Sequence, residues 1–499
     1  MNQREHAGLP RCTIGIKGLD DILAGGLPIH RMYLVRGGPG TGKTTLSLQF
    51  LQAGRDLGEP VLYITLSETE QELAFVAQSH GWSLDNIAVL GLARIEAMIK
   101  PEVQSTILHP SEHELGRTLA VIQQEIARIR PKRIVLDSLA ELRLLAQNPL
   151  RFRRQILNLK SFFTKHEATV ILLDEHNEDT EPQVQTLVHG VIELQMRNPE
   201  FGPTRRRLSV LKMRGVKFRA GYHDLIIDTG GLDVFPRLVA AEHYREFSRE
   251  PRSTGVREVD QLLGGGIEPG TSTLITGAAG TGKSSLALKF ATSAAKRGES
   301  VTYFSFDESI ATMRARMEGL GMDAAGLQNQ GLFHLNQIDP AELSPGEFAA
   351  MVRRCVEQRT KVVIIDSLNG YLHSMPDERL LVTQLHELLS YLAQQGVITL
   401  LLLTQQGIIG DVNTPVDLSY LADCVILLRY FEFDGAMKKA ISVVKKRSGG
   451  HEETIREFKL LQRTGLVVGA PLVGFRGIMT GVPTYVGKAS SIMDAEGHG

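Results

Sequence analysis

The sequence predicts an α/β protein in which one domain is used twice, each copy a mostly parallel twisted sheet flanked by helices. Three observations carry this reading. Residues 14–50 and 254–290 align without a gap at an offset of 240, so that Gly15 falls on Gly255, Asp20 on Asp260, Gly25-Gly26 on Gly265-Gly266 and Lys43 on Lys283. Short apolar runs without strict alternation recur along each copy, separated by longer helical patterns, as parallel strands buried on both faces require. A glycine-rich turn stands between a strand and a helix at the same place in both copies.

The repeat period is far too long for a stacked solenoid, so it marks a tandem duplication of a whole domain. The register holds as far as Glu68 and Glu308. The first domain is expected at 1–240 and the second at 253–485. Between them, 241–252 is charged, contains Pro251 and reads as a linker. The end, 486–499, is small and polar and reads as a flexible tail.

In the first copy the expected strands are MYLVR, PVLYITL, RIVLD, TVILLD and RRLSVLKM. In the second they are STLIT, SVTYFSF, KVVIID, VITLLLL, CVILLRY and AISVVKK. The segment after the first glycine-rich turn places Leu46 and Phe50 four apart, on one face of an amphipathic helix. Strand, helix and strand in succession give right-handed parallel βαβ units.

Composition narrows the class. A hydrophobic content of 42% and a charged content of 22% exclude bulk disorder. With 55 Lys+Arg against 56 Asp+Glu, the net charge of −1 provides no basic coat for nucleic acid. Cys12, Cys355 and Cys424 are far apart, which argues against a disulfide framework or zinc site and fits a reducing compartment. The N-terminal MNQREHAGLP has no apolar signal region, and Val397–Leu403 is too short to span a bilayer. A cytoplasmic protein without membrane contact is expected.

The glycine-rich turns match G-x-x-x-x-G-K-[ST]. The first comprises Gly37, Gly38, Gly40, Thr41, Gly42, Lys43, Thr44 and Thr45; the second Gly277, Gly280, Thr281, Gly282, Lys283, Ser284 and Ser285. Glycines let backbone N–H groups wrap a phosphate, and the helix N-terminus adds partial positive charge. Lys43 and Lys283 are expected on the β- and γ-phosphates of ATP, and Thr44 and Ser284 on Mg²⁺. Two matches at equivalent positions leave little room for a chance turn. Asp137 in RIVLDS and Asp366 in VVIIDS end apolar strands and are the expected carboxylates on the Mg²⁺ side.

Serines follow both aspartates, so the carboxylate that activates the nucleophile must lie elsewhere. Ser67-Glu68 and Asp307-Glu308 end the next strand, with Glu68 and Glu308 each 25 residues after the P-loop lysine. That arrangement marks the RecA-like class of P-loop domains. Glu68, Asp307 and Glu308 are therefore the catalytic candidates; a paired carboxylate resists ionisation and can serve as a base. Lys212 and Arg214 close the first copy, Lys445 and Arg447 the second, as cations poised for a neighbour's nucleotide. The clusters Arg205-Arg206-Arg207 and Arg151/Arg153/Arg154 read as solvated faces, with partner or nucleic-acid contact as the alternative.

With KMRG at 212–215 and HEETIREF at 451–458, the chain resembles the KaiC family of tandem RecA-like ATPases over nearly its whole length. The resemblance implies a two-tiered homohexamer with ATP between adjacent subunits. It implies a slow ATPase in the first domain, and a serine/threonine autokinase and autophosphatase in the second, in signalling or circadian-type timing. Ser419 falls on the family's acceptor serine, Tyr420 replaces its threonine, and Thr414 falls on a further threonine but precedes Pro415. Ser67 stands where the family's first domain has a paired glutamate. A KaiB-like partner on the first tier is implied. FRGIMTGVPT at 475–484 resembles the loop before an activator-binding tail, but with fifteen residues after Thr484 a KaiA-type activator is not assumed.

Two other classes compete. A RecA/RadA-like DNA-dependent ATPase is disfavoured by the charge balance and the lack of an added DNA-binding module. An ATP-gated scaffold without kinase activity is disfavoured by two full sets of catalytic residues.

Overall fold

The computed structural model describes residues 9–98, 110–175, 183–199, 202–373, 378–405, 407, 418–463, 465–478 and 484–486. The chain divides into two compact units, Met1–Arg237 and Leu238–Gly499.

The first unit is built on nine strands: β1 (Met32–Gly37), β2 (Val61–Thr65), β3 (Ala88–Leu90), β4 (Arg133–Asp137), β5 (Thr169–Asp174), β6 (Gly190–Arg197), β7 (Arg205–Met213), β8 (Tyr222–Asp228) and β9 (Gly231–Phe235). Their order across the sheet is β9-β8-β7-β6-β1-β5-β4-β2-β3. The second unit repeats this with β10 (Ser272–Gly277), β11 (Val301–Ser305), β12 (Phe333–Gln337), β13 (Val362–Asp366), β14 (Ile398–Thr404), β15 (Cys424–Phe433), β16 (Ala436–Lys446), β17 (Arg456–Leu461) and β18 (Gly465–Pro471). Its order is β18-β17-β16-β15-β10-β14-β13-β11-β12, the same topology strand for strand.

Each sheet is parallel from the central strand outward on one side, with β6 and β15 also parallel to it. The remaining ladders, β6–β9 and β15–β18, are antiparallel. The parallel strands read as unbroken apolar runs because both faces are covered. On β1, Tyr33 and Val35 enter one core and Met32 and Leu34 the other. On β13, Val362 and Ile364 face one core and Val363 and Ile365 the second. The sequence reading missed the short edge strands β3 and β12 and the ladder strands β6, β8, β9, β17 and β18. β8 (YHDLIID) breaks its apolar run with His223 and Asp224, and β6 hides the buried Glu193, neutralised by Arg36 at 2.6 Å.

Four helices frame the sites: α1 (Lys43–Asp56) and α2 (Glu70–Ser79) in the first unit, α3 (Lys283–Lys296) and α4 (Ile310–Gly319) in the second. α1 and α3 begin directly after Gly42 and Gly282, whose φ values of 102° and 110° are left-handed and suit glycine. A side chain there would also strike Ile227 or Phe458.

The stretch read from the sequence as a linker, 241–252, is packed onto the second unit. His243 stacks edge-on against Tyr391 and its carbonyl accepts from Gln395 Nε2; Arg245 N donates to the Gln394 carbonyl at 3.0 Å; Arg252 pairs with Ile267. Charge and Pro251 signalled a connector, but Leu238 and Phe247 supply the apolar contacts that anchor it. Among the described residues no helix is long and apolar enough to cross a membrane.

Candidate nucleotide sites

Each P-loop lies at the carboxyl ends of the parallel strands, the ligand edge of an open α/β sheet. Pairing across the sheet brings these ends together: Thr65 lies opposite Asp137, Arg36 opposite Asp174, and Ser305 opposite Asp366. Lys43 Nζ donates to the carbonyls of Gly37 and Gly38 at 2.7 and 3.0 Å, and Lys283 Nζ to those of Gly277 and Ala278, both at 2.9 Å. Thr41 and Thr281 brace the turns, each hydroxyl donating to the carbonyl three residues back.

Asp137 and Asp366 are both buried at their strand ends. Tyr63 and Tyr303, one strand over, donate to them at 2.7 and 2.5 Å. Burial pushes both carboxyls up, and the tyrosine bonds pull them back toward the charged form. Ser284 also hydrogen-bonds Asp366. The Asp137–Ser138 and Asp366–Ser367 peptide bonds are cis.

The two sites differ at the second carboxylate. Glu68 faces Lys43; burial, the Asp137 charge and the Glu72 charge push its carboxyl up, against Lys43. Its Oε2 is buried with no hydrogen-bond partner among the described residues, while its backbone is clasped by Thr65 Oγ1. In the second site Glu308 pairs with Arg316 of α4, and Asp307 accepts from Ser367 Oγ. Asp307, with Asp366, is the charge that acts on Lys283. The split follows from one position: Arg316 corresponds to Val76, so Glu68 meets no cation there.

Lys212 and Arg214 do not approach Lys43, nor Lys445 and Arg447 Lys283. They lie at the other end of the central strands. Lys212 Nζ donates to the carbonyls of Gln185 and Val188, and Arg214 Nη2 to that of Thr186. Lys445 Nζ binds the carbonyls of Ser419 and Ala422 at 2.7 and 2.9 Å, and Arg447 Nη2 that of Tyr420 at 2.6 Å. The Ser419 turn is fixed to the start of β10 by Asp423 Oδ2, which accepts from Ser272 N at 2.9 Å. Lys283 holds the last residue of that strand. Ser419 and its own P-loop are thus a strand length apart, about 17 Å. Ser419 is half-buried and Tyr420 is 53% exposed. Thr414 lies outside the described residues.

Three contributions escaped the sequence reading. Arg206, placed on a solvated face, donates from Nε to the P-loop carbonyl of Gly40 at 3.0 Å, because alternation along β7 turns it toward the turn. Asp174 ends β5 as Asp137 ends β4, the same apolar-run-plus-Asp signal; it is buried, paired with Arg143 at 2.6 Å, and adds to the field at Lys43. Tyr63 and Tyr303 look from sequence like core residues and carry no signal of their bond to the aspartates.

In the second site the Ser284 hydroxyl beside the Asp366 carboxylate is a hard-oxygen pair that would suit Mg²⁺.

Burial lowers Lys283 to about 8, against the pull of Asp366 and Asp307. Its folded value lies below the ordinary 10.5, so the charged lysine costs folding free energy below pH 8, and that cost fades as pH rises from about 8 to 10.5. Phosphate charge favours the ammonium form. ATP binding at pH 8.5 is therefore expected to take up protons, more than at pH 7. Calorimetry in buffers of different ionisation enthalpy reads this directly; no buffer dependence at pH 8.5 would contradict it.

The fold and the paired sites define a protein of two tandem RecA-like P-loop ATPase domains. A family model described as "ATPase: KaiC" matches residues 12–239 and 252–472. The chain belongs to the KaiC ATPase family. Its relatives include the "Circadian clock oscillator protein KaiC" of Synechococcus elongatus, 29% identical over 97% of this chain and 94% of the relative. The protein of the same description from Acaryochloris marina is 28% identical over 97% and 93%. The "Circadian clock protein KaiC3" of Synechocystis is 27% identical over 98% and 97%.

Proposed function

We propose that this protein is an ATP-driven ring in which each domain's P-loop edge meets the Lys/Arg edge of the next copy, and that the second domain phosphorylates Ser419 in trans. The observation that carries this is the separation of Lys283 from Ser419, Lys445 and Arg447 by the full length of β10. Head-to-tail contact between two different edges closes into a ring when the rotation permits. Six copies follow from the family resemblance.

In the first domain Lys43 holds the β- and γ-phosphates and Glu68 orients a water for attack on the γ-phosphorus. Lys212 and Arg214 of the adjacent copy steady the charge that develops. Thr44 with Asp137, and Ser284 with Asp366, hold Mg²⁺, which neutralises phosphate charge when bound. In the second domain the Ser419 hydroxyl oxygen of one copy attacks the neighbour's γ-phosphorus. The bond to the β–γ bridging oxygen breaks, ADP leaves, and the serine proton passes to Asp307. Glu308, occupied by Arg316, supports that segment rather than taking the proton. In the autophosphatase direction the step runs in reverse: the β-phosphate oxygen of bound ADP takes the phosphoryl group back as ATP, and the Ser419 oxygen regains its proton from Asp307. The relatives' names support a role in circadian-type timing; a cytoplasmic location and a KaiB-like partner on the first domain rest on the family resemblance alone.

Incubation with labelled ATP tests the reading. On the peptide that carries positions 419 and 420, label is expected in wild type and Tyr420→Phe, and lost in Ser419→Ala and Asp307→Asn. Label that persists in Ser419→Ala but vanishes in Tyr420→Phe transfers the role to the tyrosine. No label in wild type removes the kinase and leaves an ATPase.

A further inference from the structure

We propose that Thr186 is a second phosphoryl acceptor, modified by the ATP site of the neighbouring first domain. The inference rests on the head-to-tail contact proposed above and is independent of the chemistry at Ser419.

The segment at 184–190, which begins in the short helix Gln183–Leu187, and the turn at 418–424 match in burial and in the bonds that hold them. Residue by residue both run buried, half-buried, exposed, buried, buried, half-buried, buried. Both are held by the same cradle. Lys212 Nζ reaches the carbonyls of Gln185 and Val188 at 2.6 and 3.0 Å, as Lys445 reaches those of Ser419 and Ala422. Arg214 Nη2 donates to the Thr186 carbonyl at 2.9 Å, as Arg447 does to that of Tyr420. Each turn is tied to the first residue of its central strand. Met32 N donates to His189 Nδ1 at 3.2 Å, where Ser272 N donates to Asp423. Lys160 Nζ adds a bond to the Leu187 carbonyl at 2.8 Å.

This match of bonds puts Gln185 in the place of Ser419 and Thr186 in the place of Tyr420. Each domain therefore carries one aliphatic hydroxyl on the turn, at neighbouring positions whose Cα atoms are about 3.8 Å apart. Gln185 has no oxygen that forms a stable phosphate ester. Thr186 has, and it is exposed on the edge that also carries Lys212 and Arg214. Any contact that delivers those cations to a neighbour's γ-phosphate delivers Thr186 with them. The Thr186 oxygen then attacks the γ-phosphorus, the bond to the β–γ bridging oxygen breaks, and ADP leaves. The hydroxyl proton goes to Glu68 of the neighbour, whose Oε2 has no other hydrogen-bond partner among the described residues. Water and Thr186 compete for one phosphoryl group, so the first domain divides its turnover between hydrolysis and transfer.

The test uses the full chain with Mg²⁺-ATP, followed by tryptic mass spectrometry and sedimentation. The peptide 166–197 contains Thr169, Thr180 and Thr186 and no serine or tyrosine, and fragmentation separates the three. Phosphate is expected at Thr186 in wild type and Thr186→Ser, and is expected to be lost in Thr186→Val and Glu68→Gln. Thr186→Val is expected to keep the ring. A ring bearing phosphate on Ser419 but none at Thr186, or phosphate localised to Thr169 or Thr180, overturns the inference and leaves the proposed function standing. A chain that stays monomeric with ATP overturns the head-to-tail reading and this inference with it.

Discussion

Lys43→Ala and Lys283→Ala are each expected to abolish nucleotide binding in the domain that loses the lysine. Each ammonium is held inside its P-loop by two loop carbonyls, where it would meet the β- and γ-phosphates of the proposed nucleotide. Removing one partner of a buried, hydrogen-bonded charge pair costs about 3–5 kcal/mol, or about 10²–10⁴-fold in Kd. If ATP bridges two copies, the loss spreads to assembly, and Lys43→Ala shifts the ring toward monomers in sedimentation velocity. Normal nucleotide content in both domains with an unchanged profile would contradict the assignment.

Glu68→Gln is expected to lower first-domain ATP hydrolysis by about 10²–10⁴-fold while ATP stays bound, since the P-loop is untouched and only the nucleophile's base is lost. Measurement in a Lys283→Ala background isolates this turnover. In the second domain the same effect belongs to Asp307→Asn, with a much smaller one from Glu308→Gln. The reason is geometric: Asp307 acts on Lys283 and accepts from Ser367, whereas Glu308 is taken up by Arg316. Equal losses from both substitutions would mean that the pair works as a unit.

Much of this is legible in the amino-acid sequence alone. The P-loops are read from local spacing, because wrapping a phosphate needs glycines, a lysine and a hydroxyl within one turn. Asp137 and Asp366 are read from the apolar strands they end. What the sequence does not carry is long-range pairing. Arg316 lies eight residues beyond Glu308, on α4, and looks like any surface cation until the helix folds it back. Arg206 sits among three arginines, and only the alternation of β7 separates it from its neighbours. The kinship of Thr186 with Tyr420 is hidden because no residue of the two turns except one leucine, Leu187 on Leu421, is shared. The edge ladders escaped for a related reason: half-buried antiparallel strands such as β8 bury one face and show a weak apolar signal.

The central claim is that phosphoryl transfer crosses from one copy to the next, and mixed rings test it most directly. One chain carries Lys283→Ala, keeping Ser419 but losing its own second ATP site. The other carries Ser419→Ala, keeping the site but losing the acceptor. Peptides around Ser419 are analysed after incubation of each chain alone, and of the two together, with labelled ATP and Mg²⁺. The account predicts no label at position 419 in either chain alone, and label on Ser419 of the Lys283→Ala chain in the mixture. Label on Ser419 of the Lys283→Ala chain by itself, or none in mixed rings whose assembly is verified while wild type is labelled, would contradict transfer between copies.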